Sequence, residues 1–240
     1  MSRVCSTLLC EALRNTRVAG NPDEYFGPMH VRRWDEKWKT RSKAEYLKRV
    51  IEQARGENGV LGIKVMRVYW QNVVEFLQDA TNLVEYPESE LLKRCFPNLR
   101  YIWITRRDKV RQAISWMKFL QGTAWYWEDE KPQRIENLEF EPDVIQEFIL
   151  QTVSHETAWQ EYFRRNQIQP YIVVYEDLVA AYETTAKQII KYLGIPHQGI
   201  PHQEEIMFGE RHLKKQADML TVEWVQRFLE MYVNTERMSD

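Results

Sequence analysis

Residues 100–116 read RYIWITRRDKVRQAISW, and this stretch decides the fold. Its first six residues are a short β-branched and aromatic run between polar neighbours, which predicts a buried strand. Asp108 then stands where a helix cap belongs, and a helix is expected to continue through Trp116. Two further runs read as strands, residues 60–65 (VLGIKV) and 171–175 (YIVVY). Helical spacing fills the intervals. Leu47, Val50, Ile51 and Ala54 mark one helix; Ile145, Phe148, Ile149, Thr152, Trp159 and Phe163 mark a long one between Pro142 and Pro170. Ala186, Ile189, Ile190 and Leu193 mark another, stopped by Gly194 and Pro196, and Val222, Val225, Phe228 and Leu229 a last one. Strands alternating with helices predict an α/β layered fold with a central parallel sheet flanked by helices. In such sheets ligands bind at the carboxyl ends of the strands.

The whole chain has 240 residues, 44% hydrophobic and 28% charged, with no repeat, low-complexity tract or Gly/Ser linker. Residues 1–240 are therefore read as one domain. The net charge of −2, from 33 basic and 35 acidic side chains, argues against whole-surface attraction to nucleic acid or anionic membrane. No apolar run approaches the ~20 residues of a membrane span, and MSRVCSTLLCEALRN lacks the apolar core of a secretory leader. Cys5, Cys10 and Cys95 form no even framework and read as small packing residues, so a reducing cytoplasm is expected.

Behind the deciding strand, Arg106, Arg107, Lys109, Arg111 and Lys118 fall within thirteen residues. Arg107 and Ser115, eight apart, have the chemistry to meet one phosphate, a planar fork plus a directional hydroxyl; a solvated basic helix face is the other reading. Near the start, Arg3, Ser6 and Thr7 precede the apolar stripe Leu8, Leu9, Ala12 and Leu13. Hydroxyls there are either ordinary helix caps or part of an anion site at a helix N-terminus. No Walker A loop is present. HETAW at 155–159 falls one residue short of a zinc signature, so no metal is expected; Glu156 is either ion-paired or borders a cleft. Trp34 and Trp38 either stack on an acceptor ring or pack a loop down, Trp125 and Trp127 line an acceptor site or an interface, and Lys64 faces the ligand edge or a buried partner.

These stretches, in this order, resemble the sulfotransferases that use 3′-phosphoadenylyl sulfate (PAPS), and in particular the mycobacterial trehalose 2-sulfotransferase family. RVCSTLLCEAL at 3–13, VAGNPDEYF at 18–26, YIWITRRDKVRQAISW at 101–116 and YEDL…KYLG at 175–194 carry the resemblance, with HETAW and LKKQAD (213–218) in support. The resemblance implies a P-loop-type fold and transfer of a sulfuryl group from PAPS, without metal, to a hydroxyl of a carbohydrate or similar small metabolite. It implies that Arg3, Ser6 and Thr7 hold the 5′-phosphosulfate, Arg107 and Ser115 clamp the 3′-phosphate, and Tyr175 lies by the adenine. Lys214 and Lys215 would close on the 3′-phosphate. Glu24, placed in a Gly/Pro-containing loop, would be the general base, with Arg3 also serving catalysis. A homodimer is allowed by the resemblance. Relatives carry a strand leading into a Pro-Arg-Ser-Gly-Ser-Thr loop, whereas this chain has Cys5 in place of the glycine, and its first strand is expected to be missing. An enzyme is expected; the alternative is a catalytically impaired relative that binds 3′-phosphoadenosine nucleotides without turnover.

Overall fold

The computed structural model describes residues 6–122, 138–195 and 219–237, with side chains in the last helix up to Met231. Four short strands, β1 (Asp23–Glu24), β2 (Ile63–Lys64), β3 (Ile102–Thr105) and β4 (Tyr171–Val174), lie among ten helices in the described residues. The expected helices form. They are α1 (Ser6–Asn15), α3 (Lys43–Ala54), α6 (Lys109–Gly122), α7 (Pro142–Arg165), α9 (Tyr182–Leu193) and α10 (Met219–Arg237). Their ends follow local chemistry. Asp108 accepts the Arg111 N–H at 2.8 Å before α6, and Gly194 closes α9 at φ 66°, a left-handed conformation that costs glycine little. The sequence reading had not placed α2 (Pro28–Trp38), α4 (Trp70–Thr81), α5 (Glu88–Cys95) or α8 (Tyr175–Ala180).

The expected central sheet differs in two respects. Glu24 is in a strand rather than a loop, and β1 pairs with β2 in parallel, Asp23 opposite Ile63 and Glu24 opposite Lys64. β3 and β4 form a separate parallel pair from Ile102↔Tyr171 to Thr105↔Val174, so the described strands make two two-stranded sheets. The run 60–65 narrows to β2 because Leu61 bridges Arg55 and the Gly62 N–H donates to the Ala54 carbonyl instead.

Glycine makes the β1–β2 pairing feasible. At Gly20 (φ +69°) a Cβ would meet the carbonyl oxygens of Ala54 and Val60 at 2.6 Å, so only glycine lets the 18–22 turn close on the 60–62 segment. Asn58 Nδ2 fastens the same turn by donating to the Val18 carbonyl at 2.8 Å. VAGNPDEYF thus delivers Glu24 to Lys64 through backbone contacts made far along the chain.

Three apolar clusters hold the layers. An aromatic one joins α2, α3, α4 and α5 through Tyr25, Trp34, Tyr46, Phe76 and their neighbours. A second packs Leu8, Leu9 and Ala12 of α1 against Ile189 and Ile190 of α9 beneath β4. The third joins α6, α7 and α10 around Ile114, Ile145 and Trp224. Between β2 and β3 lies a cavity of about 590 Å³, lined by the unbroken runs 58–67 and 96–104 and by Ser6, Leu9 and Leu13 of α1. Side chains alternate across a strand, so a cavity over one face would touch every second residue. Contact with consecutive residues means that the cavity runs along strand edges. No helix among the described residues is long and apolar enough to cross a membrane.

Candidate active site

The parallel register sets Glu24 and Lys64 side by side, and the Lys64 ammonium contacts Glu24 Oε1. His30, in the first turns of α2, brings Nε2 to 2.9 Å from Glu24 Oε2. That approach lacks hydrogen-bond alignment and leaves Glu24 Oε2 buried without an aligned partner; His30 Nδ1 is likewise buried without one. The three side chains are only 12–15% exposed. Burial alone would push the Glu24 carboxyl up, but His30 and the charge and contact of Lys64 outweigh it and hold the group at about 2. Glu24 is therefore ionised at neutral pH. The Lys64 ammonium also donates to Thr7 Oγ1 at 3.4 Å, which links the carboxylate to the first turn of α1. There the leading backbone N–H groups of the helix have no intrahelical acceptor and favour an anion.

The backbone around Glu24 is fixed from several sides. Trp34 Nε1 donates to the Glu24 carbonyl at 3.1 Å, and the Glu24 N–H donates to Asp23 Oδ1 at 2.7 Å. Trp34 and Trp38 stack at 4.8 Å on helix α2, so the expected loop is a helix, and one face of Trp34 is already covered. His30 was not foreseen. Its approach depends on Gly27, where a Cβ would meet the rings of Tyr69 and His30 at 2.8–2.9 Å, a contact invisible in a linear reading.

A second polar group gathers at the carboxyl ends of β3 and β4. The Arg106 guanidinium sits 4.6 Å over the Tyr175 ring and is 11% exposed, with Nε 3.8 Å from Glu176 Oε1 and no hydrogen bond to it. Arg107 Nη2 donates to both Asp177 carboxylate oxygens, at 2.7 and 2.9 Å, with both side chains 59% exposed. Burial pushes the Glu176 carboxyl up, but the N–H groups of Arg107 and Asp108 and the Arg106 charge bring it below its usual value. Lys109 pairs with Glu156 at 2.5 Å, and Thr105 donates to the same oxygen. Arg111 pairs with Asp108 at 2.9 Å and Lys118 donates to Thr221 at 3.1 Å. The basic stretch is thus partnered rather than a bare solvated face. Glu156 takes the ion-paired alternative.

Ser6 opens α1 half-buried and Thr7 is exposed; Ser115 is half-buried within α6. Arg107 is engaged with Asp177, so the structure shows no phosphate clamp already formed by Arg107 and Ser115. Arg3, Cys5, Trp125, Trp127, Lys214 and Lys215 lie outside the described residues. Among the described residues no group of three His, Cys, Asp or Glu side chains is placed to hold a metal ion. Cys10 is buried, which pushes its thiol up to about 11, as suits a packing residue.

An ionised buried carboxylate beside a lysine at a helix start, and arginines at the ends of parallel strands, are parts suited to moving an anionic group. The class is that of the sulfotransferases: residues 1–231 match the model of the Stf0 sulphotransferase family, and the chain belongs to that family. Within it, the chain is 27% identical to the trehalose 2-sulfotransferase of Mycolicibacterium smegmatis (strain ATCC 700084 / mc(2)155), over 93% of this chain and 90% of that protein. It is 24% identical, with the same coverage, to the trehalose 2-sulfotransferase of Mycobacterium tuberculosis (strain ATCC 35801 / TMC 107 / Erdman).

Proposed function

We propose that this protein transfers the sulfuryl group of PAPS to a hydroxyl of a carbohydrate, with Glu24 as the base that takes the hydroxyl proton. The observation that carries this reading is the chain of contacts Thr7–Lys64–Glu24–His30. It joins an anion-favouring helix start to a buried, ionised carboxylate. Ser6 and Thr7, with Arg3, bind the phosphosulfate; Arg107, Ser115, Lys214 and Lys215 bind the 3′-phosphate; Tyr175 borders the adenine. The residues present suit such a donor. Arg106 carries a buried Nε with no hydrogen-bond partner beside Tyr175, a site ready for an anionic acceptor. Attack by the sugar oxygen forms a new S–O bond, the S–O bond to the 5′-phosphate breaks with its electron pair going to the phosphate, and Glu24 receives the proton.

Incubation with 35S-labelled PAPS and trehalose, followed by separation of the sugar products, tests the reading. Labelled, sulfated disaccharide is the expected result. No label on trehalose or on any of a panel of mono- and disaccharides, from protein that still binds adenosine 3′,5′-bisphosphate, would overturn it.

We further infer that the cavity between β2 and β3 is the place of a further strand, which completes a P-loop-type parallel sheet. Among the described residues each of these strands is paired on one side only, and the cavity runs along the two remaining edges. Two-stranded sheets are marginal alone, and a strand inserted between them gains ladder hydrogen bonds on both sides. A β-branched pentapeptide added in excess is expected to raise the melting temperature. It should also slow amide exchange at Ile63, Val65, Ile102 and Ile104. Unchanged exchange at those four amides excludes the strand from the cavity.

A further inference from the structure

Lys64 reaches two oxygens with different roles. Its ammonium contacts Glu24 Oε1 and donates to Thr7 Oγ1 at 3.4 Å, from a side chain only 13% exposed. One ammonium has three donors, so it serves both at once. The titratable groups around Glu24 come from several elements. They are Lys64 of β2, His30 of α2, Asp23 of its own strand, Cys10 of α1 and Tyr69 of the short 3-10 turn Arg67–Tyr69. Lys64 and His30 stand nearest its carboxylate oxygens, and Lys64 also reaches the helix start. A carboxylate gripped in this way, and held at about 2, is a feeble base. The site as it stands is therefore held back from proton transfer.

We propose, resting on the sulfuryl-transfer reading of this site, that Lys64 is shared: it holds Glu24 until the donor arrives and then shifts to the donor's oxygens at α1. The shift is short, because Thr7 is already within reach. It frees one carboxylate oxygen for the acceptor's hydroxyl at the moment the sulfuryl group is in place. Lys64 keeps its own proton throughout and offsets the charge that grows on the leaving 5′-phosphate, while Glu24 takes the proton of the acceptor hydroxyl. Donor binding thereby comes before effective proton acceptance, and the base stays quiet without a donor. The ammonium must leave the carboxylate, so the pair opposes donor binding, and removing Glu24's charge relieves that opposition.

Calorimetric titration with adenosine 3′,5′-bisphosphate tests this without needing the acceptor. Four proteins are compared: wild type, Glu24→Gln, Lys64→Met and the double variant. Glu24→Gln is expected to bind about 3–10-fold tighter than wild type, and Lys64→Met about 10–100-fold weaker. The double variant should match Lys64→Met, because without the lysine there is no shared ammonium to release. Equal or weaker binding by Glu24→Gln overturns the sharing, and so does a double variant that binds clearly tighter than Lys64→Met, since plain charge repulsion would then explain the gain. In both cases the sulfuryl-transfer reading stands. If wild type itself does not bind the nucleotide, that reading fails and the sharing with it. Should Lys64→Met fail to fold with Glu24 left buried, the double variant, which removes both charges, is compared with Glu24→Gln: sharing requires it to bind at least ~30-fold weaker, and similar affinity for the two overturns it.

Discussion

Replacing Glu24 by Gln is expected to lower kcat for sulfuryl transfer at least ~100-fold, while adenosine 3′,5′-bisphosphate still binds. Gln has nearly the same shape, so Trp34 keeps its bond to the residue 24 carbonyl and the β1–β2 register is retained. What disappears is the capacity to accept a proton. The expected split, with kcat falling and donor binding retained or tightened, separates a chemical role from a structural one. A general fall in stability would harm both. Steady-state assays with the sugar that wild type sulfates give kcat, and calorimetry gives the donor affinity. Turnover near wild type would place the base elsewhere; His30, the other ionisable side chain whose nitrogen lies 2.9 Å from the Glu24 carboxylate, would then be examined first.

Replacing Arg107 by Ala is expected to weaken binding of adenosine 3′,5′-bisphosphate by about 2–4 kcal/mol, the range for losing a charge-assisted clamp on phosphate. Arg107 pairs with Asp177 in the free protein, yet that does not oppose the role. Both side chains are 59% exposed, and an exposed ion pair contributes only about 0–1 kcal/mol. A phosphate that arrives with two charges and several acceptor oxygens replaces Asp177 at small cost. The same exposure makes Arg107→Ala nearly neutral for folding, so a loss of affinity reports on the site. Affinity unchanged by calorimetry would remove Arg107 from it. Arg106 would then be the arginine to test, because it is buried over Tyr175 with an unpartnered Nε.

Much of the fold is legible in residue order because its signals are local. Asp108 caps α6 through a bond three residues away, Gly194 closes α9 by its own φ, and the periodic apolar residues of α3 and α7 are buried where the spacing puts them. Helix α4 carries a regular stripe, Trp70, Val73, Val74 and Leu77, that the sequence reading passes over, whereas α2 and α5 bury too few residues to show a period. Glu24 was picked out by resemblance but assigned to a loop. A two-residue strand has too little length to show a period, and its partner lies some forty residues further on.

The sequence by itself determined the alternation of strands and helices and the family motifs, and through the resemblance it singled out Glu24, Thr7, Arg107 and Tyr175 as candidates. Only the tertiary structure decided who partners whom. It joined Lys64 to both Glu24 and Thr7, added His30 through the room left by Gly27, and turned the basic run at 106–118 into partnered cations. The physical reason is range. Caps, helix periods and turn glycines act within a few residues, whereas ionisation and ligand contacts depend on charges and packing brought together from distant segments.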